Sequence, residues 1–292
     1  STSPVDRRLV RSLRSRQEIR LDIIECEDIF DGSNPAILRA IAFDAADDHP
    51  YLVVVDENVF RFYGEKIRSY LDTHRVPCIF EPFRCSEMSK NLDSVMRILE
   101  LLNGNRIMRS GKPAVIAIGG GVLLDIVGFA ASIFRRGIGY IRVPTTLMAI
   151  IDAGIGAKTG VSIGGNKNRI GTFFPPSSSL LDRKFLQTLD ERHLRNGAAE
   201  IVKMAIIKDE SLFRMMERQG RTLIEKKFQD TATADMVIER AILGMVEELE
   251  PNLWESNLNR LVDFGHTFSP GLEMKALPAL LHGEARSEER RV

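Results

Sequence analysis

Residues 113–125, with the sequence PAVIAIGGGVLLD, constrain this chain more than any other stretch. A β-prone apolar run is followed by three consecutive glycines, Gly119 to Gly121, and then by an apolar helical pattern that begins at Val122. Because glycine has no Cβ and tolerates unusual dihedral angles, such a turn can be tight and can let a phosphate approach the start of the helix. The spacing is not that of the G-x-G-x-x-G fingerprint. The stretch therefore predicts a strand, a turn and a helix, and leaves open whether the turn binds a diphosphate or nothing.

Further strands and helices alternate along the first half of the chain. Apolar patterns predict strands at residues 20–24, 51–55, 76–80 and 140–143, and an apolar face predicts a helix at residues 87–102. The continuously apolar run at 51–55 is typical of a parallel sheet that is covered on both faces. The first half therefore predicts a layered, parallel α/β domain.

Asp56 and Asn58 directly follow the strand at 51–55, at the edge where open α/β sheets bind their ligands. The Asp56 carboxylate could accept hydrogen bonds from a ribose, or it could cap the helix that follows. From the sequence alone we favour the helix cap.

Residues 144–176 form a long polar segment that is rich in glycine. Lys158, Lys167 and Arg169 lie in it among glycines and hydroxyl side chains, and no acidic neighbours offset their charges. Together with Arg136, these cations could bind a phosphorylated substrate. The alternative is a solvated loop. We favour a phosphate pocket, because long polar segments of compact proteins are usually functional and these cations do not follow a helix face.

The second half of the chain changes to helical patterns from residue 185 onwards, with helices expected at 211–220, 221–228 and 234–249. We therefore predict an α/β domain at residues 1–183 and an all-α domain at residues 184–292. The arginine-rich residues 1–20 are expected to form a mobile arm.

Two features of the helical half could bind a metal ion. Glu200 and Lys203 are one helical turn apart in an apolar segment; a surface ion pair is the simplest interpretation, whereas a buried carboxylate would need a partner or a metal ion. His266 and His282 are two of only five histidines, and each has glycine beside it. With Glu200 they could form a three-ligand zinc site, although an isolated histidine is more often not a ligand.

The composition excludes several classes of function. Hydrophobic residues make up 44% of the chain and charged residues 27%, as in ordinary soluble globular proteins. The 40 basic and 40 acidic residues cancel, which argues against nucleic acid as a partner. No apolar run is long enough to span a membrane, and the scattered Cys26, Cys78 and Cys85 indicate a reducing compartment. We therefore expect a cytoplasmic protein.

A series of motifs occurs in order between residues 51 and 284. They are GGGVLLD (119–125), FRRG (134–137), PTTL (144–147), DAGIGAKTG (152–160), NKNRIGTFFPP (166–176), NGAAEIVK (196–203), FGHTF (264–268) and HGE (282–284). On these motifs the chain resembles the sugar phosphate cyclases of the dehydroquinate synthase-like superfamily. The resemblance implies an NAD-binding α/β domain, an all-α domain, and a divalent metal ion (Zn²⁺ or Co²⁺) between them.

The resemblance also implies which residues form the site. The metal ligands would be Glu200, His266 and His282. The residues against which NAD would lie are Asp56, Asn58, Glu87, Lys90, Gly120, Gly121, Val122, Asp125, Thr145, Thr146, Met148, Lys158, Lys167, Phe185, Thr188 and Leu189. The candidate catalytic and substrate-binding residues are Arg136, Asp152, Lys158, Lys167, Asn168, His193, Lys203 and Asp263.

Within the superfamily the chain is most similar to 2-epi-5-epi-valiolone synthases, which cyclise sedoheptulose 7-phosphate. VDFGHTFSP (262–270) and EPNLWE (250–255) carry this resemblance together with DAGIGAKTG. Dehydroquinate synthases typically have histidine at the place of Pro270, asparagine at that of Asp263 and an acidic residue at that of His193. Desmethyl-4-deoxygadusol synthases share the substrate but usually have HGH in place of HGE, so they rank second.

The implied reaction combines transient oxidation by NAD, elimination of phosphate, return of the hydride, ring opening and an intramolecular aldol reaction. NAD is regenerated in this sequence of steps. Lys158, Lys203 and the metal ion would stabilise developing oxyanions. Family members lead us to expect a homodimer with a small sugar phosphate as its partner.

The charged residues 286–292 stand where family members continue with further helices. This difference leads us to expect a truncated helical domain and a chain that is weakly active, inactive or unstable. The alternatives to a valiolone-type cyclase are therefore a 3-dehydroquinate synthase, an inactive NAD-binding relic, and a metal-dependent polyol dehydrogenase, which would accumulate NADH.

Overall fold

The computed structural model of the chain describes residues 12–15, 18–46, 49–108, 110–229, 231–265, 269–276 and 279–288. Within these residues, six strands form one sheet and two further strands form a separate hairpin. No helix of this part of the chain combines the length and the apolar character that crossing a membrane requires.

The large sheet is entirely parallel, with the strand order β1-β8-β5-β4-β2-β3. Its strands are β1 (Asp22–Cys26), β2 (Tyr51–Asp56), β3 (Cys78–Phe83), β4 (Pro113–Gly119), β5 (Gly139–Pro144) and β8 (Ser178–Asp182). The antiparallel hairpin consists of β6 (Lys158–Ile163) and β7 (Asn166–Phe173).

Helices connect these strands and form the second half of the chain. They are α1 (Ala36–Ala40), α2 (Glu57–Thr73), α3 (Leu92–Gly104), α4 (Gly121–Ile133), α5 (Glu191–Lys208), α6 (Glu210–Glu225), α7 (Ala232–Leu249), α8 (Ser269–Lys275) and α9 (His282–Glu288). The predicted fold class, a parallel α/β region followed by a helical region, is confirmed. The domain boundary at residue 183 stays a prediction.

Both faces of the sheet are covered, as the apolar run of β2 predicts. Leu52 and Val54 pack into one core with α3 and α4, whereas Val53 and Val55 pack into a second core with α1 and α2. This division follows from the two-residue period of a strand. A third apolar core lies mainly among α5, α6 and α7.

The order of the strands changes direction between β2 and β4. From β2 the chain first adds β3 on one side, and then continues on the other side with β4, β5 and β8. The carboxyl ends of the strands that flank such a switch point form the usual ligand crevice of an open α/β sheet. Here those ends carry Asp56 and Gly119, and a Cβ added at Gly119 would lie 3.4 Å from that of Asp56.

The structure corrects the solvated-loop alternative for residues 144–176. Much of this segment forms the hairpin of β6 and β7, which turns at Gly164 and Gly165 with φ values of +57° and +73°. Glycine adopts these values readily, so the turn needs no strain. The polar composition concealed the strands, because β7 alternates between exposed and half-buried side chains.

Several predicted boundaries also differ. The helix expected at 87–102 begins at Leu92, because the Asn91 side chain accepts a hydrogen bond from Ser94 N at 3.0 Å and caps it there. Helices expected at 211–220 and 221–228 form the single helix α6, in which Gly220 is buried without interrupting the helix. The first and third strands lie about two residues later than predicted.

Candidate active site

The glycine turn lies at the carboxyl end of β4 and begins α4. Gly120 is the N-cap residue of this helix. A Cβ added at Gly120 would lie 3.1 Å from Thr146 Cγ2, and Thr145 N donates a hydrogen bond to Gly119 O at 3.0 Å. The turn is therefore packed closely against the segment after β5. The first N–H groups of α4 at this edge suit an anion such as a diphosphate.

Asp56 caps α2, as predicted, because its side chain accepts a hydrogen bond from Asn58 N at 2.8 Å. A ribose contact of Asp56 stays a prediction. The same helix carries Tyr63, whose ring lies edge-on to Phe185 at 5.0 Å and whose hydroxyl accepts from Thr188 Oγ1 at 3.2 Å. Two further predicted cofactor residues thus contact the helix that starts at Asp56.

Lys90 joins the helix after the glycine turn to the hairpin. Its buried ammonium lies 2.5 Å from Asp125 Oδ2 on α4 and donates to Asn168 Oδ1 on β7 at 2.7 Å. Burial by itself lowers the pKa of Lys90, but the carboxylates of Asp125 and Glu87 outweigh it and raise that pKa. Lys90 therefore stays charged between the two elements.

The cations of the hairpin have acidic partners after all. Lys167 pairs with Glu273 on α8 and lies 3.9 Å from Glu87 Oε1, while Lys158 Nζ lies 2.8 Å from Glu255 Oε1. The prediction that no acidic neighbours offset these charges is wrong, because the carboxylates come from distant parts of the chain. Lys158 nevertheless stays 58% exposed and accessible to a ligand.

Glu200 and Lys203 on α5 are both buried, with relative exposures of 0% and 3%. Lys203 Nζ lies 2.6 Å from Glu200 Oε2 and donates to Val262 O at 2.9 Å. The interpretation as a surface pair is wrong, because α5 is packed on several sides; a Cβ added at Gly197 would lie 2.6 Å from Leu147 Cβ. Buried charges persist only when they are paired and hydrogen-bonded, as they are here.

His282, at the start of α9, approaches this pair. Its Nε2 lies 3.6 Å from Glu200 Oε1, and its Nδ1 lies 2.9 Å from Glu273 Oε2. His266, the third expected metal ligand, lies outside the described residues, and among those described no three His, Cys, Asp or Glu side chains form a metal-binding group.

The two described ligands fit a divalent metal ion. Zinc ligands at about 2.0–2.2 Å in a tetrahedron stand roughly 3.4 Å apart, close to the 3.6 Å between Glu200 Oε1 and His282 Nε2. A carboxylate and an imidazole are also the donors that zinc takes in open catalytic sites.

Side chains of α5 hold α9 in this position. Arg192 Nε and Nη2 donate to the two oxygens of Glu284 at 2.7 Å each, and this hydrogen bonding lowers the pKa of Glu284. Gly283 N donates to Asn196 Oδ1 at 2.6 Å, and a Cβ at Gly283 would lie 2.4 Å from Asn196 O. His193 lies in the first turn of α5, 44% exposed, with Nε2 3.9 Å from Asp190 Oδ2.

Other predicted site residues lie elsewhere or only nearby. Arg136 is exposed between α4 and β5, at the amino edge of the sheet and opposite to the glycine turn. Asp263 accepts hydrogen bonds from Arg260 at 2.6 and 2.8 Å. Asp152 is half-buried in a π-helical turn, Ala149–Ala153, directly after Met148. Val122 is in the first turn of α4, and Leu189 packs against the helical core.

Sequence reasoning missed Arg142, which is fully buried in β5. Its guanidinium donates to the carbonyl oxygens of Ala153, Gly156 and Lys158 at 3.0, 2.6 and 3.1 Å. It therefore fixes the turn that joins Asp152 to β6. A charged residue within a predicted apolar strand was the available signal. Glu273 was also missed, and no local pattern distinguishes it from a surface residue.

Comparisons with known proteins agree with this arrangement. The family models "3-dehydroquinate synthase N-terminal" and "3-dehydroquinate synthase C-terminal" match residues 82–196 and 197–287. A 2-epi-5-epi-valiolone synthase of Actinomyces sp is 47% identical over 277 residues, covering 93% of this chain and 72% of the relative. Another, of Streptomyces albus, is 54% identical over 238 residues, covering 80% of this chain and 58% of the relative.

A solved structure is similar over the same range. ValA, the 2-epi-5-epi-valiolone synthase of Streptomyces hygroscopicus subsp. jinggangensis, with NAD⁺ and Zn²⁺ bound, matches with a TM-score of 0.89 and 45% identity. The match covers 94% of this chain and 74% of that one. The chain therefore belongs to the dehydroquinate synthase-like superfamily of sugar phosphate cyclases, a family of enzymes. Its relatives at 47% and 54% identity carry the name 2-epi-5-epi-valiolone synthase.

Proposed function

We propose that this chain binds NAD and a divalent metal ion, Zn²⁺ or Co²⁺, and cyclises sedoheptulose 7-phosphate to 2-epi-5-epi-valiolone with loss of phosphate. One observation carries the proposal: Glu200, Lys203, His282, Glu273 and Lys167 form one connected, mostly buried charged cluster. The names of its relatives support the choice of substrate.

Glu200 and His282 would hold the metal ion, together with His266. The start of α4, at Gly120 and Gly121, would hold the diphosphate of NAD. When bound, NAD accepts and returns a hydride, and the metal ion polarises the oxygens that it binds.

The lysines of the cluster would bind the charged parts of the substrate. An ammonium has three N–H donors, and Lys203 directs two of them to Glu200 and to Val262 O. We expect the third to serve a substrate oxygen, where a fixed positive charge stabilises a developing oxyanion. Lys158 and Lys167, with Asn168 beside them on the hairpin, would bind the phosphate. We assign no contact to Arg136, which lies at the opposite edge of the sheet.

The test is phosphate release from sedoheptulose 7-phosphate, with NAD and either Zn²⁺ or Co²⁺ added. The heptulosonate substrate of dehydroquinate synthase is assayed in parallel, and the carbocyclic product is identified. Release from the first sugar alone, with no net NADH, supports the proposal. Release from the heptulosonate instead, a deoxygadusol-type product, net accumulation of NADH, or no release from either sugar contradicts it. Sedimentation of the same sample tests the predicted homodimer.

A further inference from the structure

Glu273, on α8, uses both of its carboxylate oxygens to join two parts of the cluster. Oε2 lies 2.9 Å from His282 Nδ1, and Oε1 pairs with the ammonium of Lys167. The side chain is only 4% exposed. A carboxylate this deeply buried is normally placed where its partners require it.

The contact with Glu273 determines the state of the His282 ring. An ionised carboxylate can only accept a hydrogen bond, so Nδ1 must carry the hydrogen and donate it. In the neutral ring, the lone pair available to a ligand is then on Nε2. Nε2 is the nitrogen that lies 3.6 Å from Glu200 Oε1. The ring is thus held with its ligating nitrogen directed toward the other candidate metal ligand.

We propose that Glu273 is a positioning residue: it fixes the tautomer and orientation of His282 for metal binding and, through Lys167, connects the metal site to the phosphate-binding cations. This inference rests on the proposed function in one respect, namely that a metal ion binds at Glu200 and His282. Carboxylate partners of ligating histidines generally act in this way, and their loss weakens metal binding by about 10–100-fold.

A purely structural ion pair is the competing explanation of the same contacts. A structural pair would change the stability of the metal-free protein without a specific effect on metal affinity. The two explanations therefore differ in a measurement that needs neither substrate nor turnover.

The experiment measures the Zn²⁺ dissociation constant of the full chain by competition with a chromophoric chelator, without NAD. Thermal unfolding of the metal-free proteins is recorded in parallel. We expect Glu273→Gln to bind Zn²⁺ about 10–100-fold more weakly. The matched control is Glu248→Gln, which removes a carboxylate 2.8 Å from Lys208 and 18% exposed; its Zn²⁺ affinity is expected to stay within about twofold of the wild type, because it contacts no metal ligand.

Two more variants separate the halves of the contact. Glu273→Asp keeps an acceptor-only carboxylate on a shorter side chain, so it should retain more Zn²⁺ affinity than Glu273→Gln, whose amide can offer an N–H to Nδ1. Lys167→Met leaves the contact with His282 in place. It should weaken inorganic phosphate binding while changing Zn²⁺ affinity far less than Glu273→Gln does.

The outcomes distinguish the inference from the proposed function. If the wild type binds Zn²⁺ and the Glu273 variants bind it equally well, the positioning role is wrong and the proposed function is untouched. If the wild type does not bind Zn²⁺, both are wrong. Should Glu273→Gln fail to fold, Glu273→Asp decides, and an unchanged Zn²⁺ affinity in that variant overturns the inference.

Discussion

The two sides of the candidate site are built in different ways. On the sheet side, the glycine turn and Asp56 stand at the ends of β4 and β2, and neighbouring strands of one parallel sheet bring them together. On the helical side, side chains far apart in sequence meet directly: Arg192 and Glu284 are 92 residues apart, and Lys167 and Glu273 are 106 apart. The sheet side therefore depends on backbone topology, and the helical side on a few polar cross-links.

This difference predicts two kinds of failure. A substitution on the sheet side should affect ligand binding more than folding, because the backbone hydrogen bonds of the sheet remain. A substitution among the cross-links should affect both, because the same contacts hold the helices and position the charged groups. The predictions below test this contrast.

The largest effect is expected from Glu200→Gln. It removes one partner of a buried ion pair and leaves the Lys203 charge buried, which costs about 3–5 kcal/mol in the free energy of unfolding. Urea denaturation of the metal-free chain measures this. The control is Glu247→Gln on α7, whose carboxylate is 66% exposed beside Lys208; a change below about 1 kcal/mol is expected there. Equal effects of the two substitutions would show that the Glu200 pair is not buried.

Gly283→Ala should have the next largest effect. The added Cβ would meet the backbone oxygen of Asn196 at 2.4 Å, so α9 and His282 must shift. We expect about 1–3 kcal/mol of destabilisation and a Zn²⁺ affinity at least tenfold weaker.

Gly271→Ala on α8 is the control for Gly283→Ala, because a Cβ there meets nothing within 4 Å. Alanine is also the better helix former, so this variant should be neutral or slightly stabilised. Thermal unfolding and zinc competition measure both variants. If Gly283→Ala behaves like Gly271→Ala, the close contact of α9 with α5 is incorrect.

On the sheet side, Gly120→Ala tests the backbone site. Its Cβ would lie 3.1 Å from Thr146 Cγ2, a flexible side chain that can yield slightly. We therefore expect less than about 1 kcal/mol of destabilisation but roughly tenfold weaker NAD binding, because a side chain now stands where a diphosphate would approach the backbone. NAD titration by fluorescence measures it, with Gly32→Ala as the control. An unchanged NAD affinity would argue against the glycine turn as the diphosphate site.

The smallest effect concerns a cross-link away from the site. Asp209 caps α6 and accepts hydrogen bonds from Arg240 at 2.7 and 2.9 Å, which lower the pKa of Asp209 below its ordinary value of 3.8. Asparagine is an equally good cap, so Asp209→Asn loses only the ion pair, worth about 0.5–1 kcal/mol at neutral pH.

The sign of the pH dependence follows from that lowered pKa. The folded protein holds the Asp209 proton more weakly than the unfolded chain, so the carboxylate stabilises the fold above pH 3.8 and loses this effect as the pH falls below it. The difference in unfolding free energy between Asp209→Asn and the wild type should therefore shrink below pH 3.8. A difference that is constant from pH 7 to pH 3 would contradict the ion pair.

Much of the sheet side could be predicted from the sequence. The strand, glycine turn and helix of residues 113–133, the cap at Asp56 and the parallel α/β class all follow from local patterns of apolar residues, glycines and capping side chains. The ordered motifs also indicated the superfamily, which the relatives confirm. These features are predictable because each depends on residues that are close together in the chain.

The helical side was decided by tertiary structure. The sequence by itself favoured a surface pair for Glu200 and Lys203, and it provided no sign that Glu273 would contact both His282 and Lys167. Burial is a property of the segments that pack around a residue, and an ion pair across 106 residues depends on the path of the whole chain between its partners. Local sequence therefore determined which elements form, whereas the packing of distant elements determined which charges are buried and which of them meet.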